Sequence, residues 1–257
     1  MRLLGDLTFE DIPRRLRASS VLCLPMGAME QHGPHLPLNT DTVLAEAFTR
    51  EIVKRFGDSH DVWQLPALPI GLSREHAWAP GTLSLSVAGM TALVRDLARD
   101  ISRALPAKNL MVINGHGGNR GILDALLREL RADFGLNLCA LHLGALISPV
   151  TDAKIPEIHG GRDETSAMLA LAPDLVRRDR IADLKSPPDG GAIRSLILDP
   201  AVSFPWSSDD ARIADTGIIG DASQSSAEHG HAIVERVLAA AGEALKRLLE
   251  NQKAAGG

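Results

Sequence analysis

Three short polar segments carry residues whose types and spacing can do chemistry. The first runs from Gly27 to Asp41 and places Glu30, His32, His35 and Asp41 within twelve residues. Carboxylates mixed with imidazoles suit a divalent ion such as zinc, manganese or iron(II). Gly33, Pro34 and Pro37 keep this stretch out of a helix, so it is a loop able to fold around an ion. The competing account is plainer: Asp41 sits where a helix N-cap belongs and the histidines are solvated.

The second segment is Asn114-Gly-His-Gly-Gly-Asn119, with His116 held among three glycines between an apolar run and a helical pattern. Such a turn permits close backbone approach and can cradle a phosphate. It lacks the GxGxxG spacing of a dinucleotide loop, and a histidine at its centre favours a ligand role over a phosphate one. The third is His159-Gly-Gly-Arg-Asp-Glu-Thr-Ser166, where His159 and Glu164 straddle a turn that opens a helix. A carboxylate in a first helical turn also interacts favourably with the helix dipole, which is the bland explanation of Glu164. His76, in Ser73-Arg-Glu-His76-Ala-Trp78, is expected in a loop at the edge of the pocket. His60, His142, His229 and His231 are expected to be solvated or structural.

The elements that must position these groups alternate. Strands are expected at Ser20 to Pro25, Asp61 to Ile70 (broken by Pro66 and Pro69), Asn109 to Asn114 and Leu136 to Leu143. Helical spacing marks Asp41 to Arg55, Val87 to Leu105, Asn119 to Phe134, a short helix from about Asp163 through Met168, and Ser226 to Glu250. Strand–helix alternation of this kind predicts an α/β protein with a mainly parallel sheet, with ligands bound at the carboxyl ends of the strands. Residues 186–225, with Pro187, Pro188, Pro200 and Pro205 and little periodicity, are expected to be an irregular functional loop region, and residues 251–257 a frayed tail. The 257 residues are expected to form a single domain.

Composition narrows the function. The net charge of −5 lacks the basic footprint of a nucleic-acid binder. No apolar run reaches the roughly 18 residues a membrane span needs. The amino-terminal stretch carries Asp6, Glu10 and Asp11 where a signal peptide needs an apolar region, and Cys23 and Cys139 lie in apolar runs as reduced thiols do, so a cytoplasmic protein is expected. With no tyrosine and 3% aromatic residues, a base-stacking or sugar-stacking surface is not expected.

Taken together, Glu30-Gln-His32-Gly-Pro-His35 with Asp41, the Asn114–Asn119 turn and His159–Ser166 resemble the creatininase family of metal-dependent amidohydrolases. Pro80-Gly81-Thr82, Gly217-Ile-Ile-Gly220-Asp221 and Ser226-Ala-Glu228-His-Gly230 belong to the same resemblance, which covers the chain from about Val21 to Leu249. It implies a creatininase-like, three-layer α/β/α sandwich carrying two divalent metal ions (zinc, manganese or iron(II)). By the family pattern Glu30 and His116 are ligands of one ion, His32 of the other, and Asp41 bridges them. Creatininase itself has a glutamate two positions after the turn histidine; here that position is Gly118, and Glu164 is the expected replacement. His159 matches the family's proton-handling, substrate-contacting histidine. His76, Gly117 and Gly118 are expected to contact substrate, and His35 and Asn119 to support the ligands from behind.

The resemblance implies hydrolysis of a C–N amide bond of a small, cyclic or N-formyl amide through a metal-activated hydroxide. Creatinine itself is not expected, because Ile155 stands four residues before His159 and none of the three tryptophans lies just ahead of that histidine. Another family branch trims a redox-cofactor precursor peptide, and a third deformylates a pyrimidine nucleotide, so a peptidase is an alternative. A metal-binding scaffold without activity is the alternative from another class. The family further implies a homo-oligomer, commonly a hexamer.

Overall fold

The structure is a computed structural model that describes residues 1–150, 154–183, 190–214 and 216–255. Four strands, β1 (Val21–Met26), β2 (Val62–Gln64), β3 (Asn109–Asn114) and β4 (Asn137–His142), form one parallel sheet in the order β2-β1-β3-β4. The register pairs Val21 with Val62 and Asn109, and Asn109 with Asn137. The helices among the described residues are α1 (Ile12–Arg15), α2 (Thr40–His60), α3 (Val87–Ala104), α4 (Arg120–Phe134), α5 (Leu143–Ile147), α6 (Arg162–Leu171), α7 (Gly190–Leu196) and α8 (Ala227–Ala255).

The central strands read as unbroken apolar runs because both of their faces are covered. Val21, Cys23, Met111 and Ile113 point into a core with Leu44, Phe48 and Ile52 of α2, Met168 of α6 and Val237 and Leu245 of α8. Leu22, Leu24, Leu110 and Val112 point the other way, against Met90 and Val94 of α3 and Leu123 and Leu126 of α4. The result is a helix–sheet–helix sandwich, as expected. No described helix is long and apolar enough to cross a membrane.

Several boundaries differ from the sequence expectation. Helix α2 runs on to His60 and stops where Asp61 takes a left-handed conformation (φ 50°), its carboxylate accepting from Arg2 Nη1 at 2.6 Å and Trp63 Nε1 at 2.9 Å. β2 is only three residues long, because Pro66 and Pro69 limit ladder hydrogen bonding beyond it. Asn251 to Ala255, expected to fray, continue α8; Gln252 holds this last turn by donating to the Ala18 carbonyl at 2.9 Å and accepting from Asn109 Nδ2 at 3.0 Å. The region expected to be irregular contains α7, whose buried Ile193 nucleates a small separate core with Ile213, Ala214 and Ile219. Of that region, Pro187 and Pro188 lie outside the described residues, as do Gly256 and Gly257 at the carboxyl terminus.

Candidate metal centre

The chemistry-bearing groups meet at the carboxyl edge of the sheet, where strand ends leave room for a ligand. The loop after β1 delivers Glu30 and His32. Asp41 follows from the first turn of α2, one residue past its start; the N-cap position is Asn39, so capping does not account for Asp41. The turn after β3 delivers His116, the turn Arg74–His76 delivers His76, and the approach to α6 delivers His159 and Glu164. Gly115 is obligatory in this assembly: a Cβ there would lie 2.3 Å from the Asp41 carbonyl oxygen, so α2 and β3 come together only over a glycine.

Three histidines are oriented in the same way. His32 donates through Nδ1 to the Glu30 carbonyl at 3.1 Å, His116 through Nε2 to the Leu72 carbonyl at 2.6 Å, and His159 through Nε2 to the Gln31 carbonyl at 2.7 Å. Each main-chain carbonyl fixes a tautomer and leaves the other ring nitrogen bare and turned inward. The bare atoms face carboxylates. His116 Nδ1 is 3.3 Å from Glu30 Oε1 and 3.1 Å from Asp41 Oδ2; His32 Nε2 is 3.3 Å from Asp41 Oδ1 and 3.7 Å from Glu164 Oε2. His159 Nδ1 and His76 Nε2 reach Glu30 Oε1 at 3.6 and 3.5 Å. Three groups among the described residues lie close enough to hold an ion, Glu30–Asp41–His116, His32–His159–Glu164 and Glu30–His76–His159, and Asp41 turns Oδ2 to His116 and Oδ1 to His32.

These atoms fit a divalent ion. Both Glu30 carboxylate oxygens, His32 Nε2 and Asp41 Oδ2 are buried without a hydrogen-bond partner, a costly arrangement unless a cation joins them. Without a cation the carboxylates are left to hold protons in the cluster. Burial by itself would depress His32, yet Asp41, Glu164 and Glu30 outweigh it and push its pKa up to about 10. Burial likewise opposes charge on His116, and Glu30 and Asp41 raise it well above the ordinary value. Asp41, although burial disfavours its charge, is held below the usual carboxylate range by His32 and His116. Burial raises Glu164 to about 7, with His32 opposing and Asp41 adding. His159 is the exception: burial, then the neighbouring His76 and His32, hold it well below its ordinary value, so it is neutral.

Around the centre lies a cleft of about 690 Å³. Its wall includes Gly117 and Gly118 from the turn, Arg74 and Glu75 from the loop before His76, and Phe204 and Trp206 from the segment after α7. His159 is pinned by paired hydrogen bonds with the Ile219 backbone (3.0 and 2.8 Å) and stacks on His76 with ring centroids 4.1 Å apart. His76 in turn contacts Ser208 Oγ at 2.7 Å, and Trp78 Nε1 donates to the same hydroxyl at 2.8 Å.

The structure therefore gathers Glu30, His32, Asp41, His76, His116, His159 and Glu164 at one place. His35 stands behind them: its Nε2 meets Thr165 Oγ1 at 2.8 Å, bracing the loop after β1 against α6 beside Glu164. Asn119 also stands apart, donating to the Gly27 carbonyl at 3.1 Å and accepting from Leu72 N at 3.0 Å. His229 Nε2 meets Asp163 Oδ1 at 2.8 Å and His142 Nε2 meets Asp124 Oδ1 at 3.0 Å, away from the centre. Three residues escaped the sequence reading. Glu75 places Oε1 3.6 Å from His116 Nε2 and 2.8 Å from where a Cβ of Gly118 would be, so a carboxylate does stand over that glycine. Gln31 directs Nε2 to Gly217 O at 2.8 Å and lies 3.1 Å from His76 Nδ1. Ser208 is fully buried against His76. Glu75 and Gln31 both lie inside quoted motifs, where adjacency to a histidine was the available signal; nothing local marks Ser208.

Known proteins match this chain over most of its length. The family profile described as "Creatininase: Creatinine amidohydrolase" matches residues 5–245. The creatinine amidohydrolase of Pseudomonas putida is 34% identical over 252 residues, covering 90% of this chain and 91% of that protein. The mycofactocin precursor peptide peptidase of Mycolicibacterium smegmatis is 32% identical over 232 residues, covering 88% and 85%. A solved structure described as "Creatininase Mn" superposes with a TM-score of 0.76 at 29% identity, covering 95% of this chain and 97% of the other. A parallel sheet with a cluster of histidines and carboxylates at its carboxyl edge, matched over most of its length by these hydrolases, makes the chain a member of the creatininase family and a hydrolase of carbon–nitrogen bonds.

Proposed function

We propose that this chain hydrolyses the amide C–N bond of a small substrate with two divalent cations, zinc, manganese or iron(II), bound in its cleft. The observation that carries this reading is the shared orientation of His32, His116 and His159. Each spends one ring nitrogen on a main-chain carbonyl and aims the other at carboxylates: His116 and His159 face oxygens of Glu30 and Asp41 that have no hydrogen-bond partner, and His32 faces Asp41 and Glu164, whose Oε2 also accepts from Gly160 N at 2.7 Å. Glu30, Asp41 and His116 would hold one cation, and His32, Asp41 and Glu164 the other. Such ions polarise a scissile carbonyl and make water acidic enough to attack near neutral pH.

The chain's own groups do the rest. His159 is neutral with Nδ1 bare, so it takes up a proton there as the nucleophile attacks and passes it to the leaving nitrogen. Its Nε2–H stays on the Gln31 carbonyl throughout, which keeps the ring from turning. Stacking on His76 and the backbone pairing with Ile219 restrain the ring and its main chain. Phe204 and Trp206 shield one side of the cleft from water. The same machinery serves a peptide bond, and the peptidase among the relatives makes trimming of a short peptide the second reading.

The test combines metal analysis with a hydrolysis screen of cyclic amides, N-formyl compounds and short peptides. The protein is stripped with chelator and reloaded with zinc, manganese or iron(II). Two ions per chain with turnover is the expected result, and Asp41→Ala should lose both ions and all activity while keeping its fold. Full ion content in that variant would show that Asp41 does not bridge; ions bound without turnover of any amide would favour a binding scaffold.

A further inference from the structure

We propose that the cleft receives the substrate by an anionic group, a carboxylate or a phosphate, held by Arg74 and Arg120. This deepens the hydrolytic reading above and rests on it, adding the class of amide that the site selects. Both arginines line the cleft that contains Glu30, His116 and His159. They come from different elements: Arg74 opens the turn that carries His76, and Arg120 opens α4 directly after Gly117–Asn119.

Neither is committed elsewhere. Among the described residues no ion pair involves Arg74, although Glu75 is its neighbour, because that carboxylate is turned toward His116 at 3.6 Å. Arg120 has one acidic contact, Asp124 one helical turn along at 3.6 Å, with both side chains more than half exposed. A pair so placed contributes little and is readily exchanged for a better partner. The carboxylates on the cleft floor face imidazoles and are the groups that cations would neutralise. What the rim offers an incoming molecule is therefore two guanidinium groups, whose planar donor forks match carboxylate and phosphate oxygens. Facing them, Ile197, Leu198, Phe204 and Trp206 supply an apolar wall. The cleft is thus built for an amide with a short apolar body and a charged end. Simple surface solubility accounts less well for this pair, since it gives no reason to place two arginines, one without an ion pair among the described residues and one in a weak exposed pair, on the one cleft that holds the chemistry.

The experiment measures binding and turnover separately on the manganese-loaded protein. Two matched pairs serve as probes: N-formyl-L-alanine against N-formyl-L-alaninamide for a carboxylate, and phosphorylated N-formylethanolamine against N-formylethanolamine for a phosphate. Calorimetry should show one charged member binding roughly tenfold more tightly than its neutral partner, the effect of one good charge-assisted contact. Which pair shows it identifies the group. In Arg74→Gln/Arg120→Gln that preference should fall toward unity, whereas Arg74→Lys/Arg120→Lys should keep part of it. A preference that survives the glutamine variant means that the anion docks on the metal instead, and overturns the inference. Equal binding within both pairs, or no binding of either charged probe, overturns it too. Failure to hydrolyse any probe bears on the catalytic reading alone, because the binding arm does not depend on turnover.

Discussion

Gly118, two positions after His116, is so closely surrounded that the structure makes a sharp statement about adding a single methyl there. A Cβ at this position would lie 2.2 Å from the Leu72 carbonyl oxygen, 2.5 Å from His116 Nε2 and 2.8 Å from Glu75 Oε1. Glu75 can swing away; the carbonyl cannot move freely, because Leu72 N is held by Asn119 Oδ1 at 3.0 Å and the oxygen is what orients His116 at 2.6 Å. Gly118→Ala must therefore break the His116–Leu72 hydrogen bond. Overpacking of this kind costs about 1–3 kcal/mol, which at roughly 2–4 °C per kcal/mol for a chain of this size is a fall of some 2–12 °C in melting temperature. Loss of an outer partner of a ligand histidine weakens metal affinity about 10–100-fold. Thermal unfolding of chelated protein and competition against a chromophoric chelator read the two effects. Neighbouring glycines are the controls: Gly117 and Gly121 have no atom within 4 Å of an added Cβ. Gly117→Ala should be close to neutral, and Gly121→Ala, within α4, should stabilise by roughly 0.5–1 kcal/mol. An unchanged melting temperature and metal affinity in Gly118→Ala would refute the claim that the Leu72 carbonyl orients His116.

The remaining expectations concern protons and packing. With metal removed, His32 is raised from 6.5 to about 10, against burial, by Asp41 and Glu164, so the stability it contributes is complete below pH 6.5 and is lost as pH rises through 10. Glu164, raised by burial to about 7, works in the same direction, while His35 and His76, lowered by burial to about 4, have finished their opposing effect by pH 6.5. The melting temperature of chelated protein should fall between pH 7 and 10, and less steeply in His32→Gln; a rise over that window would contradict the electrostatics of the cluster. His159→Ala should keep near-normal metal content and lose roughly 10²–10⁴-fold in turnover, least for substrates with good leaving groups; metal loss matching that of His116→Ala would make it a ligand instead. Ser208→Ala should lower stability by about 1–3 kcal/mol, since Trp78 Nε1 loses its acceptor and His76 Nδ1 a partner; a neutral result in thermal unfolding would show that water replaces the hydroxyl.

The central strands and the three chemical segments were legible for related reasons. A strand covered on both faces must be apolar throughout, so Asn109–Asn114 stands out in the sequence; β2, three residues at the sheet edge, does not. Glu30, His32, Asp41 and His116 stand out because polar side chains that meet at one site must be brought close by loops, and those loops need Gly33, Gly115 and several prolines. What stayed hidden acts across long separations. Ser208 is 132 residues from His76, and a serine in the run Trp206-Ser207-Ser208-Asp209 carries no local mark. Glu75 was overshadowed by the adjacent His76, and its position above Gly118 exists only once β3 and the loop before it are packed. The helix α7 was missed because Pro187, Pro188 and Pro200 around it read as punctuation, whereas a seven-residue helix needs only Ile193 buried to hold it.

The three tryptophans give this chain an optical property that its chemistry did not require. With no tyrosine present, all of its strong near-ultraviolet emission comes from three indoles. Trp63 is sealed in the core, 1% exposed, with the Arg2 and Arg15 guanidinium groups over its ring. The other two converge on His76: Trp206, which lines the cleft, meets it edge-on at 6.0 Å, and Trp78 hydrogen-bonds the hydroxyl that touches the same imidazole. Any event that changes the charge or tilt of His76 is therefore felt by two of the three fluorophores, while the third supplies a steady background from the sheet. The protein carries its own spectroscopic reporter of cleft occupancy, with an internal reference, and no label has to be attached to read it.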